Sequence, residues 1–163
     1  MAPDERDAVD EIVEQWSRER PDVVVDSIGV VARILRIAKV FADHRRRTLA
    51  ALGIDSATFD LLATLRRSGP PFRMTPAALT QACLVTGGAI SQRVARAEAA
   101  GLVTTQRTAG GHTSAVALTD LGRERIDRDI AEFLAREHEL TGHLAPAERA
   151  ELARLLRRLH VGL

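Results

Sequence analysis

The residues whose types and spacing best suit chemistry run from Thr86 to Arg96. With Ile90 set at zero and each residue advanced by about 100°, Ile90, Val94 and Ala97 fall on one side of a helix and Gly88, Gln92 and Arg96 on the other. The first set reads as core and the second as an outward face. Glutamine and arginine on such a face offer the donors and acceptors that duplex base edges pair with, and an α-helix fits the major groove. Gln92 is the first candidate for a base-edge contact, with Ser91 and Arg96 for base or phosphate. Thr86 caps the helix, and Gly87 and Gly88 let its free amides approach a phosphate; the same glycines also serve as a simple capping accommodation.

Arg93 breaks the pattern. It lies about 60° from Ile90, so its stem runs beside the core and its charge requires an anionic partner or water. Asp60, among Phe59, Leu61 and Leu62, is the expected partner, and the pair reads equally as a strut or a switch. Enzyme chemistry finds no comparable constellation. His138 and His143 are five apart, off the spacing of a zinc protease helix, and no Walker loop, dinucleotide glycine motif or G-x-S-x-G elbow is present. No catalytic residue, metal ligand or cofactor is expected. Cys83 is the only cysteine, which excludes an internal disulfide and a cysteine zinc site; it reads as a small buried group, with a redox role as the alternative.

These residues need elements to hold them. Ser56 to Arg67, a helix opened by Thr75-Pro76, and a third capped by Thr86 and ending near Gly101 make three short helices, a helix-turn-helix. Leu102 to Thr105 and Ser114 to Leu118 are β-prone runs around Ala109-Gly110-Gly111-His112, a hairpin with a flexible tip. A helix-turn-helix followed by such a hairpin is a winged helix. Outside it, Ile28, Val31, Leu35, Ala38 and Ala42 form a stripe expected to be buried, on a helix from about Asp26 to Leu52. Leu121, Arg125, Ile126, Ile130, Phe133 and Leu134 mark another amphipathic helix, and Pro146 opens a last one carrying Leu152, Leu155, Leu156 and Leu159. With Ile12 and Trp16 these are more apolar faces than the reading module can cover, and a helical dimerisation layer accounts for them.

Composition agrees with this reading. A chain of 163 residues with 45% hydrophobic and 28% charged residues buries a core and stays soluble, and a net charge of +1 excludes indiscriminate nucleic-acid binding by bulk charge, so any DNA-binding face is local. The cluster Asp43 to Arg47 reads as a solvated helix end, with phosphate contact as the alternative. No apolar run is long enough to span a membrane, the start Met1 to Arg6 does not read as a signal peptide, and the expectation is a cytoplasmic protein with no membrane partner.

Glu98-Ala99-Ala100-Gly101-Leu102-Val103, followed by Val116-Ala117-Leu118-Thr119-Asp120-Leu121-Gly122-Arg123, resembles the MarR family: the end of its recognition helix, its second wing strand and its "LTxxG" exit. Trp16 to Asp22, Phe59 to Gly69 and Thr86 to Arg93 are similar to the branch with an extra N-terminal helix that includes urate-responsive regulators. That resemblance implies a ligand-responsive site made by Trp16, Asp60 and Arg93. Two positions depart from it. Gln81 stands where urate-responsive members have a ligand arginine, which puts urate in doubt, and Gly110-Gly111-His112 replaces the aspartate, any residue, arginine of the wing. His112 then tracks the minor groove weakly, and Arg107 is its substitute from the hairpin stem.

The fold expected is mainly α with a small β-hairpin wing, in three parts: N-terminal helices for dimerisation and a ligand pocket wall (1–53), a winged helix-turn-helix for DNA (54–120) and C-terminal dimerisation helices (121–163). The function expected is a homodimeric regulator of transcription, a repressor released from a pseudo-palindromic operator in double-stranded DNA by a small anionic metabolite. The alternative is a winged helix used only for protein contacts.

Overall fold

The computed structural model describes residues 6–163; Met1 to Glu5, within the start read above against a signal peptide, lie outside the described residues. The chain divides into a unit ending at Arg45 and a unit from Arg46 to Leu163, the boundary falling within one helix. The first unit holds α1 (Ala8–Glu19) and most of α2 (Asp26–Ala51). Asp7 caps α1: its carboxylate accepts from the amides of Val9 and Asp10, while Asp10 accepts from the Asp7 amide at 2.8 Å. Arg33 on α2 donates to Asp7 at 3.0 Å and to Asp10 at 2.7 Å, joining the two helices by charge. The stripe on α2 departs from expectation. Ile28 is half-buried, but Val31 and Leu35 are 53% and 66% exposed. The 3.6-residue period does correspond to a helix, yet a period says only that a face is apolar, not that this chain covers it.

The second unit runs from the end of α2 through α3 (Ser56–Arg67), β1 (Arg73–Met74), α4 (Pro76–Ala82), α5 (Gly87–Ala99), β2 (Val103–Arg107), β3 (Thr113–Leu118), α6 (Asp120–Thr141) and α7 (Pro146–Val161). Four of these helices start where a side-chain oxygen can take up a free amide: Asp55 to Thr58, Thr75 to Ala78, Thr86 to Ala89 and Thr119 to Gly122. Leu61, Leu62 and Leu65 of α3, Leu79 of α4, Ile90 and Ala97 of α5, Val103 and Val116 of the strands and Ile126 of α6 form one core. Phe59 and Phe133 meet in it at a centroid distance of 4.7 Å.

The sheet has three strands, in the order β1-β3-β2, all antiparallel. The hairpin was expected and β1 was not, because two residues carry no period. Arg73 and Met74 become a strand only by pairing with Ala117 and Val116. On α6, Asp129 is 1% exposed and paired with Arg125 at 2.5 Å and Arg128 at 3.2 Å. Arg125 also donates to the carbonyls of Leu52 and Gly53 at 2.8 and 3.1 Å, satisfying acceptors left open where α2 ends. No residue of α7 is buried, and its four leucines lie 42–47% exposed. No single described helix is long and apolar enough to cross a membrane.

Candidate nucleic-acid interface

The helix α5 forms because Thr86, in extended conformation, accepts from the Ala89 amide, and because Ile90, Val94 and Ala97 recur on one side and are buried at 1%, 6% and 0% exposure. Their burial fixes what is left facing out: Gly87, Gly88, Ser91, Gln92 and Arg96, all exposed. Gly87 and Gly88 have no atom within 4 Å of where a Cβ would stand, so the helix start is open as well as small. The Ser91 hydroxyl donates to the Gly87 carbonyl at 3.0 Å, which leaves its oxygen free only to accept.

Arg96 lies 3.6 Å from Asp55, the cap of α3. Burial pushes the Asp55 carboxyl up, but hydrogen bonds from the Thr58 hydroxyl and amide, with the charge of Arg96, bring it net below its ordinary value. The wing presents Arg107 and His112, both exposed, at its outer end. Arg107 donates to the Gly111 carbonyl at 3.4 Å across the tip and stands 3.9 Å from Glu98 on α5. Recognition helix and wing are thus two exposed surfaces of one unit, tied together by a carboxylate that periodicity had not singled out. Glu98 sits within the motif quoted above, and only the fold shows what it touches.

Arg93 is half-buried, as its angle on the helix requires, and its Nη1 is buried without a hydrogen-bond partner among the described residues. The closed pair with Asp60 expected from the sequence is therefore not what this nitrogen forms. Asp60, half-buried on α3, accepts from Ser56 Oγ at 3.4 Å. The helical angle gave the stem's direction correctly, but the reach of a guanidinium depends on the packing of α3 against α5, which no spacing encodes. Trp16 is on α1 of the other unit and is half exposed. Cys83 ends α4, half-buried, with its sulfur 3.6 Å from the Thr64 hydroxyl. Among the described residues no group of histidine, cysteine, aspartate and glutamate is arranged to hold a metal ion.

Residues 52–112 match the family model described as "MarR family". The chain is 29% identical over 152 residues to the HTH-type transcriptional regulator PecS of Dickeya dadantii (strain 3937), covering 93% of this chain and 92% of PecS. Its fold is similar to that of Sco3205, a MarR family transcriptional regulator from Streptomyces coelicolor solved in complex with DNA. That match has a TM-score of 0.73 and 23% identity, over 86% of this chain and 90% of the other. It is also similar to Bordetella bronchiseptica BpsR, whose DNA binding is regulated by 6-hydroxynicotinic acid, with a TM-score of 0.66 and 22% identity over 80% and 92% of the two chains. The chain thus has a winged-helix fold shared with MarR family structures, matches the MarR family model over its reading helices and wing, and is similar along nearly its whole length to the transcriptional regulator PecS.

Proposed function

We propose that this protein is a repressor that binds a pseudo-palindromic operator as a homodimer and is released by a small anionic metabolite. The observation that supports DNA reading best is the division of α5, with Ile90, Val94 and Ala97 buried and Gly88, Gln92 and Arg96 exposed beside an exposed wing. Gln92 reads base edges; Thr86, Gly87, Gly88, Ser91 and Arg96 hold the helix to the duplex; Arg107 and His112 follow the flanking minor groove. The dimerisation layer comprises the N-terminal helices (1–53) and the C-terminal helices (121–163), and its support is the exposed apolar face of α7 and the exposed stripe on α2. Two recognition helices then enter major grooves about 34 Å apart.

The ligand end is Arg93, with Asp60. A buried guanidinium nitrogen without a partner is attractive to an anion, and an anion held there pulls on the recognition helix from its inner side. By linkage, the loss of DNA affinity on ligand binding equals the loss of ligand affinity on DNA binding, and a coupling of about 1–3 kcal/mol accounts for roughly 5- to 150-fold. The resemblance adds Trp16, and a Trp16→Ala variant measures its share separately. In BpsR, whose fold is similar, 6-hydroxynicotinic acid regulates DNA binding.

The test is anisotropy on the DNA upstream of the protein's own gene, with excess random competitor and then a panel of small anionic metabolites. Specific, salt-dependent binding relieved by one metabolite is expected, with relief blunted in Arg93→Met and specific binding weakened in Gln92→Ala. Binding that no metabolite relieves would reduce Arg93 to structure. Silence on every DNA would leave a winged helix for protein contacts.

A further inference from the structure

Glu98, on the last turn of α5, reaches the wing twice. Its Oε1 accepts from Thr105 Oγ1 at 2.5 Å, and its Oε2 lies 3.9 Å from Nη2 of Arg107. Thr105 and Arg107 are two apart on β2 and so share one face of the strand.

Just beyond Thr105 the ladder changes register. Gln106 pairs with Ala115 but Arg107 with Thr113, leaving Ser114 as the extra residue, whose hydroxyl donates to the Gln106 carbonyl at 3.1 Å. A bulge of this kind adds local twist and re-aims the side chains that follow. Arg107 also meets the Gly111 carbonyl, so one guanidinium spans recognition helix, strand and wing tip.

The inner half of the hairpin is anchored in the core by Val103 and Val116, both fully buried. From Thr104 to Ala115 no residue is buried. The outer wing therefore has no packing to set its angle. A groove separates it from α5, lined among others by Ser91, Val94, Thr105 and Thr113, and Glu98 is the side chain that bridges it by hydrogen bond and charge.

The geometry points to Glu98 as the positioning residue of the wing: through Thr105 and Arg107 it sets the angle at which Arg107 and His112 approach the duplex. It thereby governs how strongly the flanks of the site are held, without touching DNA itself. The inference rests on the DNA-binding reading above. Removing Glu98 also removes a negative charge near phosphates, which would raise affinity for an unrelated reason. The decisive variant is therefore Thr105→Val, which keeps every charge and nearly the same shape while deleting the hydroxyl.

The experiment compares wild type, Thr105→Val, Arg107→Ala and the double variant in operator affinity, thermal melting and amide exchange of residues 106–113 in the free protein. Thr105→Val is expected to melt close to wild type, to exchange faster across 106–113, and to bind about three- to tenfold more weakly, the value of one hydrogen bond. In the Arg107→Ala background it is expected to lose less, because only His112 is left for the outer wing to aim. Unchanged affinity in Thr105→Val, or losses that simply multiply with those of Arg107→Ala, would overturn the inference. Failure of wild type to bind any DNA would overturn the reading beneath it, and is told apart from failure of the clamp itself, which shows as unchanged exchange across 106–113.

Discussion

A Cβ on Gly122 would lie 2.9 Å from the carbonyl carbon of Leu102 and closer still to its oxygen. The start of α6 and the turn between α5 and β2 thus meet backbone to backbone. Thr119 completes the junction: its amide donates to the Leu102 carbonyl at 3.1 Å, its hydroxyl donates to the Gly101 carbonyl at 2.7 Å, and the same oxygen accepts from the Gly122 amide at 2.9 Å. The threonine and glycine of the "LTxxG" exit therefore weld the wing's second strand and α6 to the end of the recognition helix.

Gly122→Ala should destabilise the second unit by more than about 2 kcal/mol, since neither the helix start nor the turn can give way without breaking those bonds. Urea unfolding measures it. A midpoint equal to wild type would mean that the junction is looser than its geometry.

Gly88→Ala should behave oppositely. Its Cβ would meet nothing, and alanine in a helix is favoured over glycine by up to about 1 kcal/mol, so stability should hold or rise. Operator affinity should fall if a phosphate or base must come close to that backbone. Anisotropy and melting on the same sample separate the two, and equal affinity would assign Gly88 to capping alone.

Asp129→Ala strands Arg125 in a site where its carboxylate partner was almost fully buried. The loss should be about 3 kcal/mol, the low end for breaking a buried pair, because Arg125 keeps the carbonyls of Leu52 and Gly53 and some solvent. Adding Arg125→Met should restore part of it. A double variant no more stable than the single one would show that the carbonyl contacts, not the ion pair, carry the site.

Acid should weaken both units through carboxylates held below their ordinary values. Asp7 is lowered chiefly by its hydrogen bond from Arg33 and Asp10 chiefly by the Asp7 amide; for Asp55, burial opposes the shift and the Thr58 bonds with Arg96 overcome it. A lowered folded value means stability that is complete above the unfolded carboxylate range and is lost as pH falls below about 4. Asp55→Asn keeps a cap but cannot titrate, so its stability against pH should be flatter below pH 4 than that of wild type. Parallel acid limbs would remove Asp55 from the account.

Much of this protein is legible along the chain because its determinants are local. Thr75, Thr86 and Thr119 cap helices through atoms three residues away, Pro76 and Pro146 open helices, and Ile90, Val94 and Ala97 share a face by the period of the helix alone. Those facts determined the winged helix, the outward set Gly88, Gln92 and Arg96, and the stem direction of Arg93. The tertiary structure decided what depends on residues distant in sequence. It decided that Arg73 and Met74 form a strand, because their pairing partners come more than forty residues later. It decided that Arg93 Nη1 ends without a partner among the described residues, that Glu98 holds Thr105 and Arg107, and that Val31 and Leu35 stay exposed. Periodicity fixes the direction of a side chain on its own helix; what waits at the end of that direction depends on how helices and strands pack, to within the length of a hydrogen bond.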